Sequence, residues 1–497
     1  MNDKSGDART ACTTASVPDD QFSRDCHEPV KTRPNEYPSK SVSSSPSVDE
    51  LRRLAEQEFV GCYGLFPTCA VFAPGCLTVA GNESADLAET RSLSMAVQLV
   101  TLVVGKRSHG SKLCQVKTLL DSGERESCEF RLNDANLCTS TGEASWIRCL
   151  KGAIRSFKEW RRAQVLPGFK VVIVSSLPAK LGLGSDSALV VALYALLEAI
   201  TGTCTGNVME KMLVCQLAQR LATNSCKVRA SDILVSIIGA EGRIFAFDAQ
   251  TLDVDRANWN DDTDVQLVLV ELNDDDTERE GSSAQRDESS KARCEQVATA
   301  MNTMSRWRAH PAGAWSSMGL SFPRETTEMV NDAIVRDARI GNMTNAIRRE
   351  RWEEFGELLR ENHRFACKRL NFSPDDIKRI ENMFEPTEGV LGFSVVNCGT
   401  SVVTLVRKSK LKTFISRLSR AEIPRQRCYL IKACTGASTI YAYERPASTK
   451  YSPHPRLTVK HHLREKINTE ENNVRKYDVP LYVNTISLFV SRGSSKS

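Results

Sequence analysis

Apolar and polar positions follow two rhythms along this chain. Val71–Val79, Val97–Val104, Val171–Val174, Val265–Glu271, Gly392–Val396 and Val402–Val406 are alternating or unbroken apolar runs and predict strands. Trp146–Gln164, Glu210–Ala222, Cys294–Arg308, Thr326–Ile340 and Met343–Leu370 have helical spacing, the last with Ile347, Phe355, Leu358, Leu359 and Asn362 along one stripe. Ala188–Ile200 is apolar enough for a buried helix, and Ile233–Phe247 turns at Gly239. Strands come first and long helices later, without strict βαβ alternation. The expected fold class is therefore α+β, in two lobes.

Polar tracts set the limits of this ordered pattern. Residues 1 to about 48 are rich in Ser, Pro, Asp and Lys and cannot bury enough surface to offset the entropy of ordering. Residues 273–291, with Asp274-Asp275-Asp276, read as a solvated loop rather than a metal site. From Tyr451 the chain is polar and basic again, with Val479–Val490 as a candidate short strand. The expected partition is a disordered extension over 1–50, a first domain over 67–264, a second over 265–445, and a basic, partly disordered tail over 446–497.

Composition narrows the function classes. A length of 497 residues leaves room for two or three domains, and 41% apolar with 26% charged residues is ordinary for a globular protein. The net charge of +5, from 66 basic and 61 acidic residues, is too even to imply a nucleic-acid partner. The 17 cysteines are odd in number and lack zinc spacing, which fits a reducing compartment. Cys62, Cys69 and Cys76 read as buried thiols, and His363 with Cys367 as a satisfied helix histidine rather than a ligand pair. No signal-peptide core and no run of about 18 apolar residues is present, so no membrane partner is expected. The expected location is cytoplasmic. Ser495-Lys496-Ser497 half matches a peroxisomal address, which makes a peroxisome-like organelle the second choice. Oligomeric state is not legible in the sequence.

The chemistry concentrates in Pro178-Ala179-Lys180-Leu181-Gly182-Leu183-Gly184-Ser185-Asp186-Ser187-Ala188, between the strand Val171–Val174 and the apolar helix. Strand, glycine-serine loop and helix together hold a polyphosphate. Glycines let the backbone approach oxygens without a Cβ in the way, and the helix start adds free N–H groups and the positive end of its dipole. The Walker spacing is absent.

This segment resembles the central motif of the GHMP kinases (galactose, homoserine, mevalonate and phosphomevalonate kinases), P-x-x-x-G-L-G-S-S-A. The family's first motif, A-P-G-K before an apolar stretch, has its counterpart in Ala73-Pro74-Gly75-Cys76-Leu77-Thr78-Val79-Ala80-Gly81. The third motif corresponds to Gly389–Thr400, and the segment carrying the catalytic aspartate to Val228-Arg229-Ala230-Ser231-Asp232 with Gly239. The resemblance spans about Val71 to Val406. Lys180 before the loop, Ala80-Gly81, Leu217-Ala218-Gln219, Gly389-Val390-Leu391-Gly392 and Arg306-Trp307-Arg308 look most like the phosphomevalonate kinase branch.

The resemblance implies an ATP-dependent kinase for a small molecule, with 5-phosphomevalonate as acceptor in isoprenoid and sterol precursor synthesis. Mevalonate kinase is the second enzyme reading. A degenerate GHMP-fold protein that binds without catalysis is the reading from another class. ATP would lie over Pro178, Lys180, Gly182, Leu183, Gly184, Ser185, Asp186, Ser187 and Ala188, with Mg2+ at Ser185 and Asp186. Asp232 and Lys180 would be catalytic, and Lys227, Arg229 and Gly399 would bind the acceptor. Three departures from the pattern stand out. Cys76 replaces the first-motif lysine, Asp186 replaces the second serine of the loop, and only Gly399 remains of the third-motif glycine cluster.

Overall fold

The computed structural model describes residues 46–443 apart from 82–90, 120–124, 134–136, 138–141, 161–165, 179–180, 224–227, 250, 273–323, 386, 397–398 and 421–427. The expected helix Cys294–Arg308, the acidic triplet, the N-terminal extension and the C-terminal tail therefore lie outside the described residues. Two sheets organise the rest, an α+β arrangement in two lobes as the hydrophobic pattern predicts.

The first sheet has eight strands: β1 (Cys69–Ala80), β2 (Arg91–Ser108), β3 (Leu113–Leu119), β4 (Arg125–Arg131), β5 (Gly168–Ser175), β6 (Arg243–Asp248), β7 (Val254–Asn258) and β12 (Ser438–Ala442). The order is β12-β1-β2-β5-β3-β4, with β6 on the far half of β2 and β7 beyond it; β3 and β5 run parallel and the other pairs antiparallel. Period-two alternation sorts the side chains. Val71 and Ala73 face one cluster, while Ala70 and Phe72 face another.

Helix α1 (Val48–Tyr63) covers the second of these faces through Leu51, Ala55 and Phe59. Its start is a capping box, with Ser47 and Glu50 each bonding the other's backbone N–H. The first cluster is covered by α2 (Ser145–Trp160), α3 (Ser185–Thr201), α4 (Val208–Thr223) and α5 (Ala230–Ile238). Helix α3 is buried on nearly every side, from Ser187 to Ile200, which explains its continuous apolar sequence.

The second sheet, β11-β8-β10-β9, comprises β8 (Val265–Glu271), β9 (Val390–Val396), β10 (Ser401–Arg407) and β11 (Cys428–Ile431), all antiparallel. Leu267 and Leu269 join a cluster with β2 of the first sheet and with α6 (Arg324–Arg348) and α7 (Trp352–Arg369). Val268 and Val270 face the other way, onto α8 (Pro374–Phe384) and α9 (Leu411–Arg420). The sequence pattern put the helix break near Gly341. In the structure α6 runs through Gly341 and ends where Glu350 adopts φ +54°, with Arg351 N–H bonded back to Ala346.

Candidate active site

The loop between β5 and α3 is held from both sheets. Leu181 and Leu183 are buried, Cys76 N–H donates to the Leu183 carbonyl at 2.9 Å, and Ser401 Oγ donates to the Leu181 carbonyl at 3.4 Å. Gly182 and Gly184 have φ of +69° and +65°, the left-handed region that favours glycine. Gly184 is the N-cap of α3, and no side chain caps that end. The first amide groups and the positive end of the dipole thus face the loop.

The predicted nucleotide residues divide by what they touch. Pro178, Leu183 and Ala188 are buried. Ser187 points inward, its Oγ donating to Gln219 Oε1 on α4 at 2.9 Å, and so ties two helices together. Ser185 and Asp186 are half-buried in the first turn of α3. Burial pushes the Asp186 carboxyl up from its usual range, against the opposing pull of Arg148 and the Ser145 hydroxyl on α2. Lys180 and Lys227 lie outside the described residues.

Asp232 is 4% exposed in the first turn of α5, directly beneath the loop. A Cβ placed on Gly184 would sit 3.5 Å from Asp232 Cβ and 3.6 Å from its Oδ2. Oδ1 accepts from Thr78 Oγ1 at 3.2 Å, and Ser94 Oγ lies 2.9 Å from the same Thr78 oxygen. Arg229 places Nε at 3.0 Å and Nη2 at 2.9 Å from Oδ2. Its guanidinium is therefore engaged with the aspartate itself. Ser236 Oγ, one turn later, donates to the Pro74 carbonyl at 2.7 Å and locks α5 to the first motif.

Cys76 occupies the place of the expected lysine. Its thiol is buried beside Ala96, Val235 and Phe245, and burial first and the Asp232 carboxylate second push it well above the ordinary thiol range. In the third motif Gly399 has φ +97° and packs on Phe372, where a Cβ would come within 2.9 Å of the ring. It lies two residues from Ser401, which touches the loop. Asn397 and Cys398 are outside the described residues.

The structure thus gathers Gly182, Gly184, Ser185, Asp186, Arg229 and Asp232 at one place, with Gly399 near its edge. Sequence reasoning missed Thr78 and Ser94. Thr78 was findable, since it stands two positions after Cys76 and shares its face of β1. Among the described residues, no group of three or more His, Cys, Asp or Glu is placed to hold a metal ion. None of their helices is long and apolar enough to cross a membrane.

Comparison with known proteins bears on the whole assembly. Residues 148–240 match the family model described as GHMP kinases N terminal domain. The galactokinase of Bos taurus is 25% identical over 404 residues, 81% of this chain and 100% of that protein. The human galactokinase is 25% identical over 80% of this chain and 98% of its own length. The crystal structure of Lactococcus lactis galactokinase complexed with galactose shares the fold, with a TM-score of 0.59 at 17% identity over 78% of this chain and 99% of that one. The fold is the two-lobed GHMP kinase fold, and the domain match supports that family.

These findings overturn the expected phosphomevalonate acceptor, and they favour mevalonate kinase less than galactokinase. The residues that suggested that branch have local duties instead. Gln219 accepts from Ser187, Gly389 holds φ +89° against Lys410, and Gly392 packs against the backbone of Gly356. These three positions serve the packing of helices and strands in this chain. Arg306-Trp307-Arg308 lies outside the described residues.

Proposed function

We propose that this chain is an ATP-dependent sugar kinase that phosphorylates a hydroxyl of a hexose, with galactose the first acceptor to test. Relatives named galactokinase that align over four fifths of the chain support the substrate class. The observation that carries the reading is the placement of the Asp232 carboxylate against Gly184, where a cradle for phosphate meets a group that can orient an acceptor. A sugar hydroxyl is neutral and needs a hydrogen-bond acceptor more than surrounding cations. A site whose arginine is already paired with the aspartate suits it better than it suits a phosphorylated acceptor.

In this reading the backbone of Gly182 to Ser185 and the start of α3 hold the ATP phosphates. The acceptor oxygen forms its bond to the terminal phosphorus as the bond to the ADP oxygen breaks. Asp232 orients the acceptor hydroxyl and takes its proton. The donors present fit Mg2+: half-buried Asp186, whose carboxyl burial pushes up, would supply a carboxylate oxygen, and Ser185 would add a hydroxyl. When bound, the ion neutralises charge on the phosphates. A division into a nucleotide domain over 67–264 and a second domain over 265–445 belongs to the same proposal.

The test is turnover of purified protein with Mg-ATP against galactose, a panel of other hexoses, and mevalonate as control. Sugar-dependent ADP release is the expected outcome. Release with mevalonate alone removes the reading. ATP binding with no turnover on any acceptor favours a protein that binds without catalysis, in line with the missing first-motif lysine.

A further inference from the structure

The first motif offers no cation to the aspartate. Cys76 is buried in a small apolar cluster and its thiol stays neutral. A charge nevertheless reaches Asp232 from another direction. Arg229 is the N-cap residue of α5, in extended conformation at φ −78° and ψ 124°, three positions before the aspartate. That geometry folds its side chain back over the first turn, and two of its nitrogens converge on the single oxygen Oδ2.

The other carboxylate oxygen is set by a relay of hydroxyls. Thr78 gives its only proton to Oδ1, so the 2.9 Å contact with Ser94 must have Ser94 as donor, and the Cys76 thiol, 3.9 Å from the same oxygen, can only donate as well. Thr78 and Ser94 are buried on adjacent strands, which fixes the relay in place. The carboxylate is thereby clamped at both ends, between Arg229 on α5 and Thr78 on β1.

We propose that Arg229 is the positioning residue of the phosphoryl-transfer site, supplying from the N-cap of α5 the cation that the first motif lacks in this chain. It holds the Asp232 carboxylate with its plane fixed beneath Gly184. Arg229 is thus no acceptor ligand, and Cys76 is neutral filler in the space the cation has left. The proposal rests on the sugar-kinase reading above.

The experiment compares Arg229→Gln, Arg229→Lys, Arg229→Ala and Cys76→Ala with wild type, reading kcat, acceptor KM and, separately, ATP affinity by calorimetry. Arg229→Gln is expected to lower kcat about 30- to 100-fold, while ATP affinity and acceptor KM move by no more than about threefold. Arg229→Lys restores part of the rate, since it keeps the charge and loses the two-nitrogen geometry. Added guanidinium ion raises the turnover of Arg229→Ala. Cys76→Ala keeps kcat within a few-fold.

In an Asp232→Asn background, Arg229→Gln should add no further loss, because the two act as a unit. A kcat above half of wild type in Arg229→Gln overturns the proposal, as does a loss confined to acceptor KM, which would make Arg229 an acceptor ligand. Wild type that phosphorylates no sugar removes the sugar-kinase reading on its own. The pairing is then judged from denaturation midpoints, where Asp232→Asn must abolish the effect of Arg229→Gln and simple additivity overturns it.

Discussion

Glycines do opposite work in two regions of this protein. In the cleft, Gly182 and Gly184 hold φ of +69° and +65°, and a Cβ on Gly184 would meet nothing closer than Asp232 at 3.5 Å. At the seam where α7 lies on β9, a Cβ on Gly356 would overlap the Leu391 carbonyl, and one on Gly392 would overlap the Gly356 carbonyl. The cleft glycines are chosen for conformation, and at Gly184 a Cβ would make only ordinary contact. The seam glycines are chosen for contact and leave no room for one. The glycine of a motif can thus serve packing as well as a loop's conformation, and Gly392 serves packing.

The comparison is broken most directly at the seam. Gly392→Ala should cost about 3 kcal/mol of stability, because the clash is with backbone that cannot rotate away. Chemical denaturation would read it, and an unchanged midpoint would mean that the seam is not close-packed. Next in size is Asp232→Asn in the cleft. Turnover should fall about 100-fold or more, near 2.7 kcal/mol of barrier, with ATP affinity almost unchanged. A variant retaining a tenth of the wild-type rate would move the catalytic role to another group.

The cleft was more legible in the sequence than the seam, and the reason is physical. A phosphate loop needs particular residue types in consecutive positions, so Gly182-Leu183-Gly184-Ser185 shows itself within one short window. Asp232 was singled out through the resemblance, whose aspartate segment has a glycine seven residues on, as Gly239 stands here. The clamp on it was not, since Thr78 and Ser94 arrive from strands 154 and 138 positions away in the chain. Helix α1 carries a local signal, Ser47 with Glu50 and then Leu51, Ala55 and Phe59, but it begins inside the polar extension, whose composition masks it. Strand β4 is mostly exposed and polar, and β12 returns from the end of the described chain to pair with β1, a pairing no local pattern encodes. Of the supposed acceptor markers, Gln219, Gly389 and Gly392 are packing residues.

Gly184→Ala sharpens the comparison from the cleft side with a smaller effect. The left-handed φ costs a residue with a Cβ about 1 kcal/mol, well below the expected loss at Gly392. The methyl would stand between the loop and Asp232, so ATP affinity should fall about tenfold, near 1.4 kcal/mol, while the fold persists. Calorimetry on the folded variant measures both. An ATP affinity equal to wild type would detach the loop from the nucleotide.

Near pH 6 the smallest effect belongs to the seam again, at His363. This side chain is buried on α7, one ring nitrogen accepting the Val395 N–H at 3.4 Å and both within 3.6 Å of Cys367 Sγ. Burial, with a lesser push from Arg364, lowers its pKa from 6.5 to about 4. The folded state thus holds the neutral ring while the unfolded chain would bind a proton. Above pH 6.5 neither state is protonated and the contribution to stability is complete; as pH falls from 6.5 towards 4 the unfolded state gains protons and stability declines. Near pH 6 the loss is about 1 kcal/mol or less, and the slope never exceeds about 1.4 kcal/mol per pH unit. Replacing His363 by Gln, which can still accept the Val395 N–H, should flatten denaturation free energy across that window without touching the cleft. If the slope survives in His363→Gln, the acid sensitivity comes from another group, and the seam is held by contact alone.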